Sequence, residues 1–381
     1  MRDETKCLHA GYTPKNGEPR VVPIVQSTTY VYDSTDEVAS VFDEPTKSLI
    51  YSRFANPTVM AVEEKIAALE GGVGAMCTSS GQAASLLSIL NLCNAGDSFL
   101  ATAEIYGGTV NLFTHTLKKL GIECIYIEKG MTDEEIDALF KPNTKAVFGE
   151  TIANPALTVL DIERYANIAH RHGVPLIVDN TFATPVLCRP FDFGADIVIH
   201  STTKYMDGHA VQGGGIIVDS GKFDWTNGNF PDFTEPDVTY HGISYTETYG
   251  KAAYIIKARM QLMRDFGAYP AAHSAFLLNL GLETLALRME RYCENALKVA
   301  KYFEQSDKIE SVTYPGLESD ENHALAEKYL KGSSGVISIV IKGGRDNAVK
   351  FMDSLKLASN EVHVADIRTC VLHPASETHR Q

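Results

Sequence analysis

From about Thr58 to Gly215 the chain alternates helix-like and strand-like stretches. Val59 to Glu70 is amphipathic, Gln82 to Leu92 is apolar, Ser98 to Ala101 is short and strand-like, and Val110 to Leu120 reads as helix again. Cys124–Ile127, Ala146–Phe148, Leu176–Val178 and Ile197–Ile199 are apolar runs rich in β-branched residues, with a helical stretch from Ile162 to His172 among them. A strand covered by helices on both faces has no solvent face to mark with polar residues. Uninterrupted apolar runs separated by helices therefore predict parallel strands in a layered α/β domain.

The flanks follow other patterns. Residues 1–50 carry Pro14, Pro19, Pro23 and Pro45 with little helical periodicity, which predicts an extended N-terminal arm of the kind that reaches a neighbouring subunit. After a loop rich in Pro, Asp and Gly, Gly228 to Gly242, helical sequence returns over Tyr249–Met263 and Ala272–Gln305. Glu310–Tyr314 and Gly335–Ile341 then read as strands, and about Asp346 to Leu355 as an amphipathic helix. The reading divides the chain into an arm (1–50), an α/β domain (51–245) and a smaller C-terminal α+β domain (246–381), with no internal repeat.

Bulk properties narrow the function. A length of 381 residues suggests roughly two to three domains, and 44% hydrophobic with 22% charged residues is ordinary for a soluble protein. The balance of 34 basic against 48 acidic residues, a net −14, argues against nucleic acid or an anionic membrane as partner and favours small-molecule chemistry. Seven scattered cysteines without a Cys-x-x-Cys pair or zinc-finger spacing suggest a reduced, cytoplasmic protein with buried thiols and no metal site. The charged start, Met1 to Lys6, has no signal-peptide core. The uncharged stretch Gly71 to Gly96 is interrupted by Thr78, Ser79, Ser80, Gln82, Asn91 and Asn94, which predicts a buried helix flanked by turns rather than a membrane span.

Candidate chemistry gathers where the strand-like runs end. Val174-Pro-Leu-Ile-Val-Asp-Asn180 finishes on the acid Asp179, and Asp196-Ile-Val-Ile-His-Ser-Thr-Thr-Lys204 finishes on a lysine. A pyridoxal-phosphate enzyme needs a lysine for the cofactor aldehyde, a carboxylate for the pyridine nitrogen and small donors for the phosphate. Thr78-Ser-Ser-Gly-Gln82 opens a helix, so Gly81 and Gln82 could offer amides to a phosphate, although the same sequence also serves as a plain cap. Ser201 and Thr203 could add hydroxyls, or merely form a turn.

Tyr106 begins Tyr106-Gly-Gly-Thr109 at the sheet edge where ligands bind in open α/β sheets, placed either to stack on a cofactor ring or to fill the core. Glu150-Thr-Ile-Ala-Asn-Pro155 puts the Asn154 amide one strand from Asp179, or is only a turn. Arg53, with Tyr51 just ahead of the first α/β helix, suits forked phosphate binding, or is simply solvated. Gly71-Gly-Val-Gly74 is not a full dinucleotide loop, and there is no Walker loop, His-Glu-x-x-His or Gly-x-Ser-x-Gly. His170 and His172 decorate a helix end near Gly173.

Taken in order, Tyr51-Ser-Arg53 with Asn56-Pro57, Ser79-Ser-Gly81, Tyr106-Gly-Gly108, Asn154-Pro155, Val178-Asp-Asn-Thr181 and Ser201-Thr-Thr-Lys204 resemble the Cys/Met-metabolism family of pyridoxal-phosphate enzymes across nearly the whole chain. That family has the fold type I, aspartate-aminotransferase-like architecture. Phe233-Thr-Glu-Pro-Asp237, Tyr240-His-Gly242, Lys257-Ala-Arg259, Leu282-Glu-Thr284 and His373-Pro-Ala375 look most like its O-acetylhomoserine sulfhydrylase branch.

The resemblance implies a large, mostly parallel-sheet domain with a smaller C-terminal α+β domain, and pyridoxal 5'-phosphate as cofactor. It gives Lys204 the Schiff-base and proton-carrying roles, pairs Asp179 with the pyridinium nitrogen and stacks Tyr106 on the ring. Gly81, Gln82, Ser201 and Thr203 would hold the phosphate, joined by Tyr51 and Arg53 from a neighbouring subunit in a dimer within a tetramer, and Asn154 would make a polar contact to the ring oxygen or the substrate.

The implied reaction is the making of L-homocysteine and acetate from O-acetyl-L-homoserine and sulfide, a step of methionine biosynthesis. Rival readings are a methionine or cystathionine γ-lyase and a cystathionine γ-synthase. Gly108 stands where methionine γ-lyases carry a cysteine, which lowers that alternative. Two positions depart from the family. Gln82 replaces a methionine, which is harmless if the contact runs through backbone N–H. The family also continues past Thr378-His379 through a final strand and helix with a substrate-carboxylate arginine, which Arg368 does not match, and this chain stops at Gln381. That departure keeps open a truncated, catalytically silent cofactor-binding oligomer.

Overall fold

The structure, a computed structural model, describes residues 1–43 and 49–374. Pro45, Ala375 and the Thr378-His379 pair lie outside the described residues. Its centre is a seven-stranded sheet of β1 (Gly74–Thr78), β2 (Ser98–Thr102), β3 (Glu123–Ile127), β4 (Thr144–Glu150), β5 (Leu176–Asp179), β6 (Ile197–His200) and β7 (Gly215–Asp219), in the order β1-β7-β6-β5-β4-β2-β3. All strands except β7 point the same way, and β7 runs antiparallel to both β1 and β6. The sheet is therefore mostly parallel, as the apolar runs predict.

The exception has a chain-length cause. A parallel return needs a crossover of a dozen or more residues, usually a helix. The segment 201–214 between β6 and β7 is spent on a turn carrying Lys204 and not on a crossover helix, so the chain re-enters the sheet at the edge by which β6 left and β7 runs back.

Burial explains the monotony of the strands. Ile177, Val178, Ile197, Val198 and Ile199 are fully buried, and helices such as Pro57–Glu70, Gly81–Leu90 and Ile162–Arg171 cover the sheet. Pro57–Glu70 starts cleanly because the Asn56 side chain accepts the Thr58 and Val59 N–H groups and Pro57 brings no N–H to satisfy. It stops at Gly71, whose φ of 82° suits a residue without Cβ.

Several sequence expectations change in detail. The stretch Gly71 to Gly96, expected as one buried helix between turns, is the strand β1 followed by the helix Gly81–Leu90. Short apolar runs carry no periodicity that separates the two states. The helical stretches expected over 110–120 and 249–263 contain π-helical segments, Leu112–Thr116 and Ala258–Met263. The stretch 272–305 breaks at Thr284 into Ala272–Glu283 and Leu285–Glu304. There Arg288 folds back onto the Gly281 carbonyl at 2.7 Å and the Thr284 hydroxyl at 3.1 Å. The N-terminal arm is not wholly extended, since it contains the helices Asp3–His9, whose Cys7 is buried, and Thr35–Asp43.

Beyond the sheet, Ile309–Thr313 and Ser338–Ile341 pair antiparallel beside the helix Gly344–Ser354, matching the expected α+β character. A separate small core gathers around Ala296, Ala300, Tyr314 and Leu317, whereas Tyr245 to Met289 pack with the large sheet. The core of the C-terminal part thus begins well after residue 246. Among the described residues no helix is long and apolar enough to cross a membrane.

One ion pair ties layers together. Arg259 donates to Glu63 Oε2 and the Phe54 carbonyl at 2.7 Å and to the Ala75 carbonyl at 2.9 Å, and Glu63 Oε1 accepts the Cys77 N–H at 2.7 Å. Burial pushes the Glu63 carboxyl up and Arg259 pulls it back. Arg259→Ala strands a buried charge, so urea unfolding is expected to show a loss of about 3–5 kcal/mol, while a loss under about 1 kcal/mol would deny the pair this role.

Candidate active site

Because β1 to β6 are parallel, their C-terminal ends share one edge of the sheet. That edge gathers Ser79 to Gln82 after β1, Tyr106 after β2, Glu150 to Asn154 at β4, Asp179 at β5 and Ser201 to Lys204 after β6. Open α/β sheets bind ligands there.

Register places two carboxylates next to each other. Glu150 on β4 is the Cα partner of Asp179 on β5. Glu150 is only 7% exposed, and Asp179 lies partly open at the edge with its carboxyl surrounded by protein. Glu150 Oε1 accepts the Tyr106 N–H at 2.8 Å and Oε2 the Asn154 N–H at 3.3 Å, so one side chain pins the two loops that flank the edge. Asp179 Oδ1 accepts both the N–H and the hydroxyl of Thr181. Burial first, and then the charge of Asp179, pushes Glu150 well above the usual carboxylate range; burial also raises Asp179, against the pull of Thr181 and His200. Among the described residues no lysine or arginine forms an ion pair with either carboxylate.

A buried polar cluster stands behind the strand ends. His200 Nε2 meets Glu70 Oε1 at 2.6 Å, Asn180 Nδ2 donates to the same oxygen at 3.0 Å, and the Thr151 hydroxyl donates to Asn180 Oδ1 at 2.8 Å.

Lys204 rides on a tight turn. The Lys204 N–H donates to the Ser201 carbonyl, Gly208 N–H to the Lys204 carbonyl and Asp207 N–H to the Thr202 carbonyl. Arg288 braces the turn from outside through the Tyr205 carbonyl at 2.7 Å and the Met206 carbonyl at 3.3 Å. Burial holds the Lys204 amine below the usual ammonium range, and its partner is Nδ1 of His363 at 3.4 Å.

The opening of the helix Gly81–Leu90 forms a donor cradle. Ser80 caps the helix by accepting the Ala83 N–H at 3.1 Å, and no protein acceptor takes the Gly81 or Gln82 amide among the described residues. Gly81 is needed for packing, since a Cβ there would lie 2.6 Å from Ser201 Cβ. A Cβ on Gly108 would lie 2.5 Å from the Tyr106 ring and 2.6 Å from Gln82 Nε2, so a cysteine cannot take that place with Tyr106 where it stands. Gln82 Oε1 is buried without a partner.

Not every expected donor is equally free. The Thr203 hydroxyl donates to the Gly214 carbonyl at 3.1 Å and accepts the Gly214 N–H at 3.0 Å, so it is already engaged. Arg53 donates to the Arg264 carbonyl at 2.9 Å and lies 5.2 Å from the Tyr51 ring centre, packed near Gly267 rather than against Lys204. Glu150, Thr181 and His363 are site residues that sequence reasoning passed over. Glu150 was visible as the end of a strand-like run, and only the β4–β5 register reveals its neighbour.

Pyridoxal phosphate joins an aldehyde, a protonatable pyridine nitrogen and a phosphate on one ring, and the site has a counterpart for each. The unneutralised carboxylates fit a ring N–H cation, the Gly81 and Gln82 amides with the Ser201 hydroxyl fit a phosphate, and the burial-weakened Lys204 ammonium fits an aldehyde.

Comparison with known proteins agrees. Residues 4–381 match the family model described as Cys/Met metabolism PLP-dependent enzyme. The O-acetyl-L-homoserine sulfhydrylase of Leptospira meyeri is 43% identical over 392 residues, covering 100% of this chain and 88% of that protein. The homocysteine synthase of Schizosaccharomyces pombe is 47% identical, covering 99% and 89%. The crystal structure of a provisional O-acetylhomoserine (thiol)-lyase of Campylobacter jejuni, which carries a pyridoxyl-lysine phosphate, superposes with a TM-score of 0.96 at 34% identity, covering 100% of this chain and 91% of that one.

The carboxylate pair gives the cofactor-free protein a pH signature. A carboxyl whose folded value is raised stabilises the fold below its ordinary value of 4.5 and loses that contribution as pH rises through the raised one. Urea midpoints of the cofactor-free protein are expected to fall from acid to neutral pH, and to fall less in Glu150→Gln. Asp219, raised by burial to about 7, contributes the same sign in both proteins, so the difference reports the Glu150–Asp179 pair. Parallel slopes would refute the assignment.

Proposed function

The chain belongs to the Cys/Met metabolism PLP-dependent enzyme family, and from that membership we propose that it catalyses a γ-replacement, converting O-acetyl-L-homoserine and sulfide to L-homocysteine and acetate. The observation that carries this reading is full-length similarity, at 43–47% identity, to relatives named O-acetyl-L-homoserine sulfhydrylase and homocysteine synthase. Gly108 supports it, because the space beside Tyr106 and Gln82 has no room for a larger residue.

Pyridoxal phosphate, when bound, supplies an electron sink for charge developing at the substrate α-carbon. Asp179 keeps a proton on the pyridine nitrogen, and Glu150 behind it fixes the backbone of Tyr106 and Asn154 on either side. Tyr106, 44% exposed at the edge, covers the ring face and assists Lys204. Gly81, Gln82 and Ser201 hold the phosphate; Thr203 steadies the turn through Gly214 and adds to the phosphate site from there. Asn154 makes its polar contact from the loop after β4.

Lys204 moves protons at Nζ. It removes a proton from the substrate Cα, gives it up, removes one from Cβ as acetate leaves Cγ, and returns a proton to each carbon once sulfide has taken the place of acetate. Tyr51 and Arg53 serve the phosphate of a neighbouring copy, in dimers that pair into tetramers; in their own chain Arg53 donates to the Arg264 carbonyl and lies over the Tyr51 ring. We place the reaction in the cytoplasm, in keeping with the free cysteines.

The test supplies O-acetylhomoserine with sulfide, with cysteine, or with no nucleophile, and identifies the products. With sulfide, homocysteine and acetate are expected in equal amounts, and Lys204→Ala is expected to lower kcat about 10³-fold or more. Replacement by cysteine alone would indicate a cystathionine γ-synthase. Accumulation of 2-oxobutanoate with no replacement by any sulfur nucleophile would indicate a γ-lyase and defeat the reading. No turnover at all would favour the silent oligomer.

A further inference from the structure

Lys204 Nζ faces His363, 159 positions further along the chain, at 3.4 Å from Nδ1. The histidine is brought there by a strap, residues 361–371, that folds back over the lysine turn. Ile367 N–H donates to the Gly208 carbonyl at 2.8 Å, Ala365 adopts a φ of 67°, and the Cys370 thiol donates to the His363 carbonyl at 3.1 Å. A left-handed alanine is uncommon and persists only where its surroundings over-determine it, so the strap is held in place rather than draped.

The far ring nitrogen of His363, Nε2, is buried with no partner among the described residues. Neutral imidazole carries a hydrogen on one nitrogen and a lone pair on the other. With the hydrogen on Nε2, the lone pair of Nδ1 points at the lysine ammonium. Lysine attacks an aldehyde only as the free amine, so its ammonium proton must first leave. In this half-enclosed site the nearest base is that lone pair.

We propose that His363 is the proton acceptor for Lys204, the group that leaves Nζ as a free amine for the cofactor aldehyde. An N–H bond at Nζ breaks, an N–H bond at Nδ1 forms, and the electron pair stays on Nζ. No oxidant or other co-reactant enters. The inference rests on the reading of Lys204 as the cofactor lysine, and it goes beyond that reading by assigning the residue that prepares it.

Burial and the Lys204 charge hold His363 below the usual imidazole range, against the pull of Asp366, Glu361 and Asp207, so the group that faces the ammonium is a neutral base. The groups acting on Lys204 are His363 and the Cys370 thiol, whereas His363 is faced by Asp366, Glu361 and Asp207 besides Lys204 and Cys370. Asp366 is itself held by Arg368 at 3.0 Å. Burial disfavours charge on both bases, and their mutual repulsion at 3.4 Å disfavours a second proton on the pair. A proton moved to His363 sits near carboxylates; one left on Lys204 does not.

The test reads Lys204 in the full chain freed of cofactor. Trace acetylation with acetic anhydride is followed across pH by mass spectrometry of the Lys204 peptide, against the exposed Lys119 as reference. In the wild-type protein Lys204 reactivity is expected to level off into a shoulder on its acid side, because the pair keeps a share of free amine while His363 holds its one proton. His363→Asn can accept a hydrogen bond but takes no proton. It is expected to remove the shoulder and to lower reactivity at neutral pH about ten-fold or more.

His363→Gln is the second variant, with circular dichroism confirming the fold of each. A wild-type profile without the shoulder overturns the proposal without any variant, and so does unchanged reactivity in a folded variant. If the shoulder is present but added pyridoxal phosphate gives no Lys204-dependent visible band, the proton acceptor stands and the cofactor reading falls.

Discussion

Glu150 and Asp179 stand side by side at the ends of neighbouring strands, in a region where charge is costly, and no lysine or arginine among the described residues neutralises them. Two like charges at that separation from water are stable only if they share a proton or receive a cation. The rest of the site is arranged around that demand. Glu150 spends its oxygens on the backbones of Tyr106 and Asn154, which fixes the loops on both sides. Asp179 remains the carboxylate with an open side, so a cationic ring nitrogen is the natural missing partner. The donor cradle at Gly81 and the amine of Lys204 share that sheet edge with the pair.

The fold supplies this geometry by topology more than by local preference. Parallel strands bring the ends of β1, β2, β4, β5 and β6 to one edge, and the reversal of β7 frees residues 201–214 to form the lysine turn. That turn is braced by Arg288 from the helix Leu285–Glu304 and by the strap through Ile367. The C-terminal part of the chain thus controls the position and the protonation of the central lysine, although it contributes no strand to the main sheet.

Lys204 and Asp179 were legible in the sequence because each ends an apolar run, and apolar runs of β-branched residues mark buried strands whatever surrounds them; the Ser79–Gln82 cap was legible because it opens an apolar helix. Glu150 ended such a run too, but its importance depends on β4 and β5 being neighbours in register, which no local pattern encodes. His363 was invisible for a stronger reason, since a segment without periodicity carries it across 159 positions to Lys204. β1 was lost inside an uncharged stretch because its short run, Gly-Ala-Met-Cys-Thr, looks alike as helix or strand. The helix breaks were lost because the side chain of Arg288 and the π-helical segments act at a range that propensity does not see. Thr203 was read as a phosphate donor with a plain turn as the alternative, and its engagement with Gly214 shows why a hydroxyl in sequence is not yet a free donor.

The central claim, that an unneutralised carboxylate pair at the sheet edge creates the demand for the cofactor, is tested most directly by thermal unfolding of wild-type protein and Asp179→Asn, each with and without pyridoxal phosphate. The account predicts that the cofactor raises the wild-type midpoint strongly and the variant midpoint much less, and that without cofactor the variant melts no lower than wild type because repulsion with Glu150 is gone. Equal stabilisation of both proteins by the cofactor, or a cofactor-free variant clearly less stable than wild type, would contradict it.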